Sequence, residues 1–138
     1  MENRRSRREA IVRRHMEAEN VHDFDAVIDT FEHPRYELVA TGQVYDGEEE
    51  VRGYFAATRG AFPDQRNELI ALHDAEEGVW VEFDLLGTHQ GELLGFEPTG
   101  RAFRVRMAAF FAFGPTDRIV AERVYFDALS ILSQLGLA

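Results

Sequence analysis

The sequence predicts an α+β domain in which a strongly curved antiparallel sheet and N-terminal helices enclose an apolar cavity. Apolar residues recur at spacings of three and four in the first sixty residues, which indicates helices. Longer apolar runs follow from residue 66 to residue 127, and turn residues separate them at hairpin spacing. Helices that precede a set of strands pack on one side of the sheet, and strands of ten residues or more must coil. We therefore expect a ligand cavity between the two layers.

The helical part of the chain is predicted to contain three helices. Residues 8–21 carry an apolar stripe with charged residues opposite, which is typical of a helix packed on a core. Asp23 is a suitable N-cap for a short second helix through Phe31. The acidic run 48–50 marks the start of a third helix, because the positive end of the helix dipole favours carboxylates. Two short strands are expected between the second and third helices, at 36–40 and 43–45.

The second half of the chain is predicted to be a meander of four long strands. We expect them at about residues 66–75, 79–89, 102–113 and 118–127. Apolar residues at helical spacing then predict a short C-terminal helix over 129–135, with Gly136 as its C-terminal cap.

Length and composition narrow the class of protein. At 138 residues the chain has the size of one domain, 1–138, in which we expect the Arg-rich residues 1–9 to be a frayed start. A net charge of -10 disfavours nucleic-acid binding, and the lack of cysteine excludes disulfides and thiol nucleophiles. No stretch approaches the ~20 apolar residues of a membrane-spanning helix. We expect a cytoplasmic protein that does not bind membranes.

The last predicted strand carries the candidate catalytic residues. Asp127, Tyr125 and Arg123 alternate along it and share one face, whereas Glu122 lies on the other. If Asp127 faces the cavity, burial raises the pKa of its carboxyl and suits it to proton transfer. Tyr125 would then stabilise negative charge on a substrate oxygen, and Arg123 would orient the substrate. The alternative is that Asp127 caps the C-terminal helix, and the sequence leaves both roles open.

The histidines indicate a catalytic or metal-binding role less clearly than the residues of the last strand do. His89, at the end of a predicted strand, is a candidate second acid, base or hydrogen-bond donor, although a turn residue bonded to backbone is the more frequent role. His15 and His22 are two helical turns apart and could share a face, but no third ligand lies near them in the sequence. We expect no metal and no cofactor.

Aromatic residues are numerous enough to line a cavity as well as to fill a core. The candidate pocket residues are Tyr45, Tyr54, Phe55, Phe83, Phe103 and Phe111. Glu82 and Asp84 share one face of a strand, and a solvated sheet face or an interface explains them better than a catalytic carboxylate pair.

Several short motifs occur along the chain in an order that is typical of one protein family. They are Ala61-Phe-Pro-Asp64, Gly87-Thr-His-Gln-Gly91, Glu97-Pro-Thr-Gly-Arg101, Asp117-Arg-Ile-Val120, Asp127 and Gln134-Leu-Gly136. Together, over about residues 10–136, they resemble the SnoaL-like polyketide cyclase family of the nuclear-transport-factor-2-like superfamily.

The resemblance implies a cone-shaped α+β barrel, a homodimer packed through the sheet, and a pocket for an apolar or aromatic carbonyl-bearing small molecule. It also implies intramolecular aldol ring closure without metal or cofactor, with an aspartate near the end of the last strand as general acid/base. Asp127 occupies that position. Many relatives carry a histidine-tryptophan pair before the aspartate, whereas this chain has residues 122–125 there, Glu-Arg-Val-Tyr.

Three hypotheses for function remain open at this point. The first is an enzyme, either a cofactor-independent aldol cyclase or a ketosteroid-isomerase-like isomerase. The second is a non-catalytic binding or carrier protein with the same cavity. The third is an assembly protein that uses the outer face of its sheet.

Overall fold

The computed structural model describes residues 3–138, and it has four helices and six strands within them. In chain order they are α1 (Arg4–Asn20), α2 (Phe24–Asp29), β1 (Arg35–Leu38), β2 (Gln43–Asp46), α3 (Glu48–Ala61), β3 (Arg66–Ala75), β4 (Gly78–Thr88), β5 (Ala102–Phe113), β6 (Ile119–Tyr125) and α4 (Ala128–Gln134). None of the helices in these residues is long and apolar enough to cross a membrane.

The strands form one curved, unclosed sheet in the order β2-β1-β6-β5-β4-β3. The four long strands form the antiparallel meander that the sequence predicts. The short β1, however, pairs in parallel with β6, with Tyr36 opposite Glu122 and Leu38 opposite Val124. The sequence does not predict this pair, because turn residues indicate which neighbouring strands form hairpins but not which distant strands meet. The pair places residues of α1, β1 and β6 together at one end of the cavity.

The sheet curves around the helices. The pairing register shifts between Leu69 and Ala71 in β3 and again between Ala112 and Phe113 in β5, and such bulges bend and twist the strands that contain them. The core fills the concave side, where α1, α2 and α3 pack. Its most completely buried side chains are Val12, Val27, Tyr36, Val51, Phe55, Val79, Phe111 and Ile119.

The Arg-rich start was expected to be frayed over residues 1–9, but α1 already begins at Arg4, and residues 1 and 2 lie outside the described residues. Arg5 and Arg7 form ion pairs with Asp74 at 2.7 Å and Asp117 at 2.8 Å. Arg8 is buried, its Nη1 donates to the Glu76 carbonyl at 3.1 Å, and its guanidinium lies 5.0 Å from the Phe113 ring centroid. The arginines therefore attach α1 to the two turns that end β3 and β5, a role that sequence-local reasoning misses.

Candidate functional site

A cavity of about 320 Å³, which we name the outer chamber, lies between the concave sheet face, α3 and α4. Most of the side chains that line it are apolar or aromatic: Leu38, Tyr45, Tyr54, Phe62, Leu85, Phe103, Met107, Val124, Phe126, Ile131 and Leu132. The exposed residues Thr41, Gln43, Glu92 and Leu94 also line it and form its rim. A volume and lining of this kind suit a small organic molecule.

A second, smaller cavity adjoins the outer chamber at its inner end, and we name it the inner recess. The two share the lining residues Tyr54, Gln65, Leu85, Met107 and Val124. The recess measures about 40 Å³, and Glu19, Arg59, Asn67 and Glu122 are among its polar lining residues. A recess of this size has room for a water molecule or one small functional group of a ligand.

A buried polar cluster lies behind the recess, centred on His15 of α1. The His15 Nε2 atom lies 2.8 Å from Glu122 Oε1, 3.3 Å from Glu19 Oε1 and 3.2 Å from the Tyr36 hydroxyl. On the other side of the ring, Nδ1 lies 2.8 Å from Thr30 Oγ1. The cluster is built from α1, α2, β1 and β6, so the parallel β1–β6 pair is what assembles it.

The hydrogen bonds assign two protons to His15. The Thr30 hydroxyl donates its hydrogen to the Val27 carbonyl at 2.6 Å, so its oxygen accepts from His15 Nδ1. The Nε2 atom faces two carboxylates and donates to Glu122. Burial by itself lowers the pKa of His15, but the charge of Glu19 and the hydrogen bonds to both carboxylates outweigh it and raise that pKa to about 9.

The two carboxyl groups of the cluster differ in acidity. Burial and the nearby charge of Glu19 raise the pKa of Glu122 above its ordinary value. For Glu19, burial also acts to raise the pKa, but the positive charges of His15 and Arg59 dominate and lower it. Environments that push the pKa values of two neighbouring carboxyls apart separate an acid from a base. Glu122 is the group suited to hold and release a proton, and Glu19 stays ionised.

Asp127 does not face this site. It is exposed, and its carboxylate accepts a hydrogen bond of 3.0 Å from the backbone N–H of Ser130, as the N-cap of α4. The expectation of a carboxylate in a dry interior is therefore wrong, and the capping alternative describes its place. Its neighbours Phe126 and Ala128 line the outer chamber, but Asp127 is not among the lining residues.

Tyr125 and Arg123 lie on the outer face of the sheet, and neither lines the chamber or the recess. Tyr125 packs against Trp80 with ring centroids 5.7 Å apart. The Arg123 Nε donates to Glu37 Oε1 at 3.0 Å. The structure keeps these two residues on one face, as the alternation predicts, but that face points away from the cavity.

His89 is fully buried at the end of β4 and lines neither cavity. Its Nδ1 atom accepts from the Thr99 N–H at 3.1 Å and lies 3.0 Å from Thr99 Oγ1. Its ring centroid is 5.9 Å from that of Phe62. This is the turn residue bonded to backbone that the sequence also allowed, and the ring helps to hold the loop that follows β4.

The six predicted pocket residues divide into two groups. Tyr45 and Phe103 line the outer chamber, Phe83 lines the inner recess, and Tyr54 lines both. Phe55 and Phe111 are instead core residues, at 1% and 0% exposure, and line neither cavity, so these two predictions are wrong.

Glu82 and Asp84 bind arginines on the outer sheet face. Asp84 lies 2.7 Å from Arg106 Nε and 2.8 Å from Arg104 Nη1, and Glu82 lies 3.0 Å from Arg106 Nη1. Both a solvated sheet face and an interface agree with this arrangement, which differs from a catalytic carboxylate pair.

One group of residues has the spacing that a metal ion needs. Within residues 3–138, His15, Glu19 and Glu122 each offer a ligand atom, and these atoms lie within 4.8 Å of one another. His22 is not part of the group, since its Nε2 lies 3.0 Å from the Gln65 carbonyl oxygen. The distance of 2.8 Å between His15 Nε2 and Glu122 Oε1 is the length of a charge-assisted hydrogen bond. A proton shared between these two atoms therefore accounts for their spacing.

Sequence reasoning missed the importance of His15, Glu19, Arg59 and Glu122. Two signals were present. His15 lies within the apolar stripe of α1 with Glu19 four residues later, which puts both on one helix face. Glu122 alternates with Val124 and Phe126, so an acid shares the more apolar face of the last strand.

Comparison with known proteins agrees with this architecture. The sequence model of the SnoaL-like polyketide cyclase family matches residues 9–135. No curated protein matches the sequence.

Three solved structures show the similarity of fold. A proposed SnoaL-like polyketide cyclase from Jannaschia sp. CCS1 is 18% identical, with a TM-score of 0.83 over 96% of this chain and 94% of that one. IdmH of Streptomyces antibioticus, a proposed polyketide cyclase, is 25% identical, with a TM-score of 0.78 over 93% and 97%. A protein of Catenulispora acidiphila DSM 44928 with a ketosteroid-isomerase-like fold, solved with trimethylamine, is 22% identical, with a TM-score of 0.79 over 93% of each chain.

Proposed function

We propose that this chain, which belongs to the SnoaL-like polyketide cyclase family, is an enzyme that moves a proton next to a carbonyl group of an apolar small molecule. Ring closure by aldol addition and double-bond isomerisation both begin with this step, the removal of a proton from a carbon beside a carbonyl. The observation that carries the proposal is the position of Glu122, a buried acid that lines the polar recess adjoining the apolar chamber.

Glu122 has the properties that proton transfer from carbon requires. A general base works best when its pKa is close to the operating pH, and burial raises the pKa of Glu122 towards that range. The His15 imidazolium bonds one of its oxygens, so the carboxyl group is held in place. Apolar side chains such as Val124 and Met107 adjoin the recess and keep water away from the reacting groups.

Asp127 has no equivalent surroundings. The family resemblance suggests an acid near the end of the last strand for proton transfer. We assign this role to Glu122, which lies five residues before Asp127 and on the opposite face of the strand. A carrier protein without catalysis is the alternative, and it would use the same chamber.

The experiment follows proton exchange in a probe ketone. The rate of deuterium incorporation at C1 of 2-tetralone in D₂O is measured by NMR with the wild-type protein and with Glu122→Gln. We expect the wild type to accelerate exchange and Glu122→Gln to lose about a hundredfold or more of that acceleration, as is usual for removal of a general base. Glutamine still accepts the hydrogen bond from His15, and thermal unfolding confirms that the variant folds.

Two results would contradict the proposal. Equal acceleration by the wild type and Glu122→Gln would remove Glu122 from the mechanism. Binding of 2-tetralone by the wild type without any acceleration would favour the carrier protein.

We also propose that the chain forms a homodimer through the outer face of its sheet. Trp80 and Tyr125 are 38% and 37% exposed there, which is high for large aromatic side chains. Sedimentation of the wild type should give twice the mass of one chain, and Trp80→Glu should give the monomer. A monomeric wild type would contradict this.

A further inference from the structure

Arg59 places a guanidinium group at the inner recess. It belongs to the last turn of α3, its side chain is only 9% exposed, and it is one of the residues that line the recess. The guanidinium carbon lies 5.1 Å from the Phe24 ring centroid and 5.6 Å from that of Phe55. The two rings hold the cation in a defined position, because a flat guanidinium stacks well on aromatic faces.

The protein uses only some of the donors of Arg59. Nη1 donates to Thr58 Oγ1 at 2.9 Å. Nη2 lies 3.6 Å from Glu19 Oε2, which is an ion pair but longer than a hydrogen bond. Nε is buried and has no partner among the described residues. Within residues 3–138, Nη2 has only this long ion pair, and because Arg59 lines the recess, an oxygen atom of a ligand or water there would give its guanidinium a hydrogen-bond acceptor.

Two other polar groups of the recess, Asn67 and Glu122, are already engaged by the protein. Asn67 Nδ2 donates to the Met16 carbonyl at 3.0 Å, and Glu122 accepts from His15. The two carboxylates, Glu19 and Glu122, are balanced by two cations, His15 and Arg59, so the cluster does not repel an electron-rich oxygen.

We propose that Arg59 binds the oxygen of a carbonyl or carboxylate group at one end of an apolar ligand, whose body fills the outer chamber. This inference deepens the proposed function and rests on it for the choice of cavity. The recess has room for one functional group, and the chamber, at about 320 Å³, is in the size range of sites that bind small organic molecules. The ligand therefore enters with its oxygen first and places the neighbouring carbon close to Glu122.

The test compares three naphthalenes of equal size by fluorescence titration. 2-Acetylnaphthalene and 2-naphthoate carry a ketone and a carboxylate, and 2-isopropylnaphthalene has carbon in place of the oxygen. For each oxygen-bearing probe we take the ratio of its affinity to that of the hydrocarbon. We expect this ratio to fall at least tenfold in Arg59→Gln, and to stay unchanged in the control Arg52→Gln, which removes a partly exposed arginine of the same helix that lines neither cavity.

The outcomes separate the sources of the oxygen. A fall for 2-naphthoate alone indicates a carboxylate ligand, a fall for 2-acetylnaphthalene alone indicates a neutral carbonyl, and a fall for both indicates that Arg59 accepts either. If Arg59→Gln does not fold, Arg59→Lys keeps the charge but loses the planar donor pair, and the ketone ratio should then fall at least threefold.

Three results would overturn the proposal: no change of either ratio in the Arg59 variant, an equal change in Arg52→Gln, or no binding of any of the three probes. The readout is binding, so it is independent of turnover. If the wild type binds the probes but does not accelerate proton exchange, that counts against Glu122 as the base and leaves the Arg59 site standing.

Discussion

The two faces of β6 differ in solvent exposure and in the partners of their charged side chains, although both faces belong to the same seven-residue strand. On the inner face, Glu122 is 4% exposed and forms a 2.8 Å hydrogen bond with a buried imidazolium. On the outer face, Arg123 pairs with Glu37 at 3.0 Å, and both side chains are partly exposed to solvent. Charges in water interact weakly, and buried charges interact strongly. The difference shows that whether an acid of this strand is placed for proton transfer depends on the face it occupies, and less on how close it lies to the end of the strand.

The largest expected effect on stability comes from removing the inner acid. Glu122→Ala leaves the buried His15 and Arg59 with one carboxylate, and unpairing a buried charge costs about 3–5 kcal/mol. Arg123→Ala breaks a partly exposed pair and should cost about 1 kcal/mol or less. Urea unfolding of both variants measures the free energy of unfolding. Equal losses for the two would show that the faces are not energetically distinct.

The next effect is a dependence of stability on pH. Because the pKa of His15 is raised from 6.5 to about 9, the folded protein holds this proton where the unfolded chain has lost it. The stabilisation is complete below pH 6.5 and disappears as the pH rises through about 9. At about 1.4 kcal/mol per pH unit, the loss amounts to about 3 kcal/mol.

Urea unfolding between pH 6 and pH 9.5 measures this loss, with His15→Gln as the control. The chain contains neither lysine nor cysteine, so few other groups titrate in this range. The free energy of unfolding should fall with pH in the wild type and change less in His15→Gln. Parallel curves for the two proteins would contradict a buried imidazolium.

The smallest effect belongs to Asp127. As the N-cap of α4 it satisfies the Ser130 N–H, so Asp127→Ala should lower the free energy of unfolding by about 1 kcal/mol. Asp127→Asn should lower it by less, since asparagine is also a good N-cap. Thermal unfolding of the two variants checks this order, and an unchanged melting temperature in Asp127→Ala would show that the cap contributes nothing.

Much of the fold follows from local sequence signals. The bounds predicted for β3 and β5 match the structure, and the Asp23 cap is present, with its carboxylate accepting from the Ala26 N–H at 3.1 Å. These features depend on residues close together in the chain, such as turn residues and caps. The order of several short motifs predicted the SnoaL-like family, the length of the strands predicted a curved sheet, and both are confirmed.

The candidate site could not be predicted to the same extent. Alternation along β6 separates Glu122 from Asp127, but both faces of the strand carry apolar residues, so hydrophobicity alone does not show which face points inward. The partners of Glu122 come from α1 and lie more than a hundred residues away. The contacts of the N-terminal arginines with Asp74 and Asp117 were missed for the same reason. Tertiary pairing between distant polar residues leaves no local pattern in a single sequence.

The most direct test of the central claim measures deuterium incorporation into 2-tetralone with two variants side by side, Glu122→Gln and Asp127→Asn. Each replaces one carboxylate of the last strand region by an amide of the same shape. We predict that Glu122→Gln loses the acceleration by about a hundredfold or more, while Asp127→Asn exchanges at nearly the wild-type rate. Loss of exchange in Asp127→Asn with full activity in Glu122→Gln would contradict the account and return the catalytic role to the exposed acid.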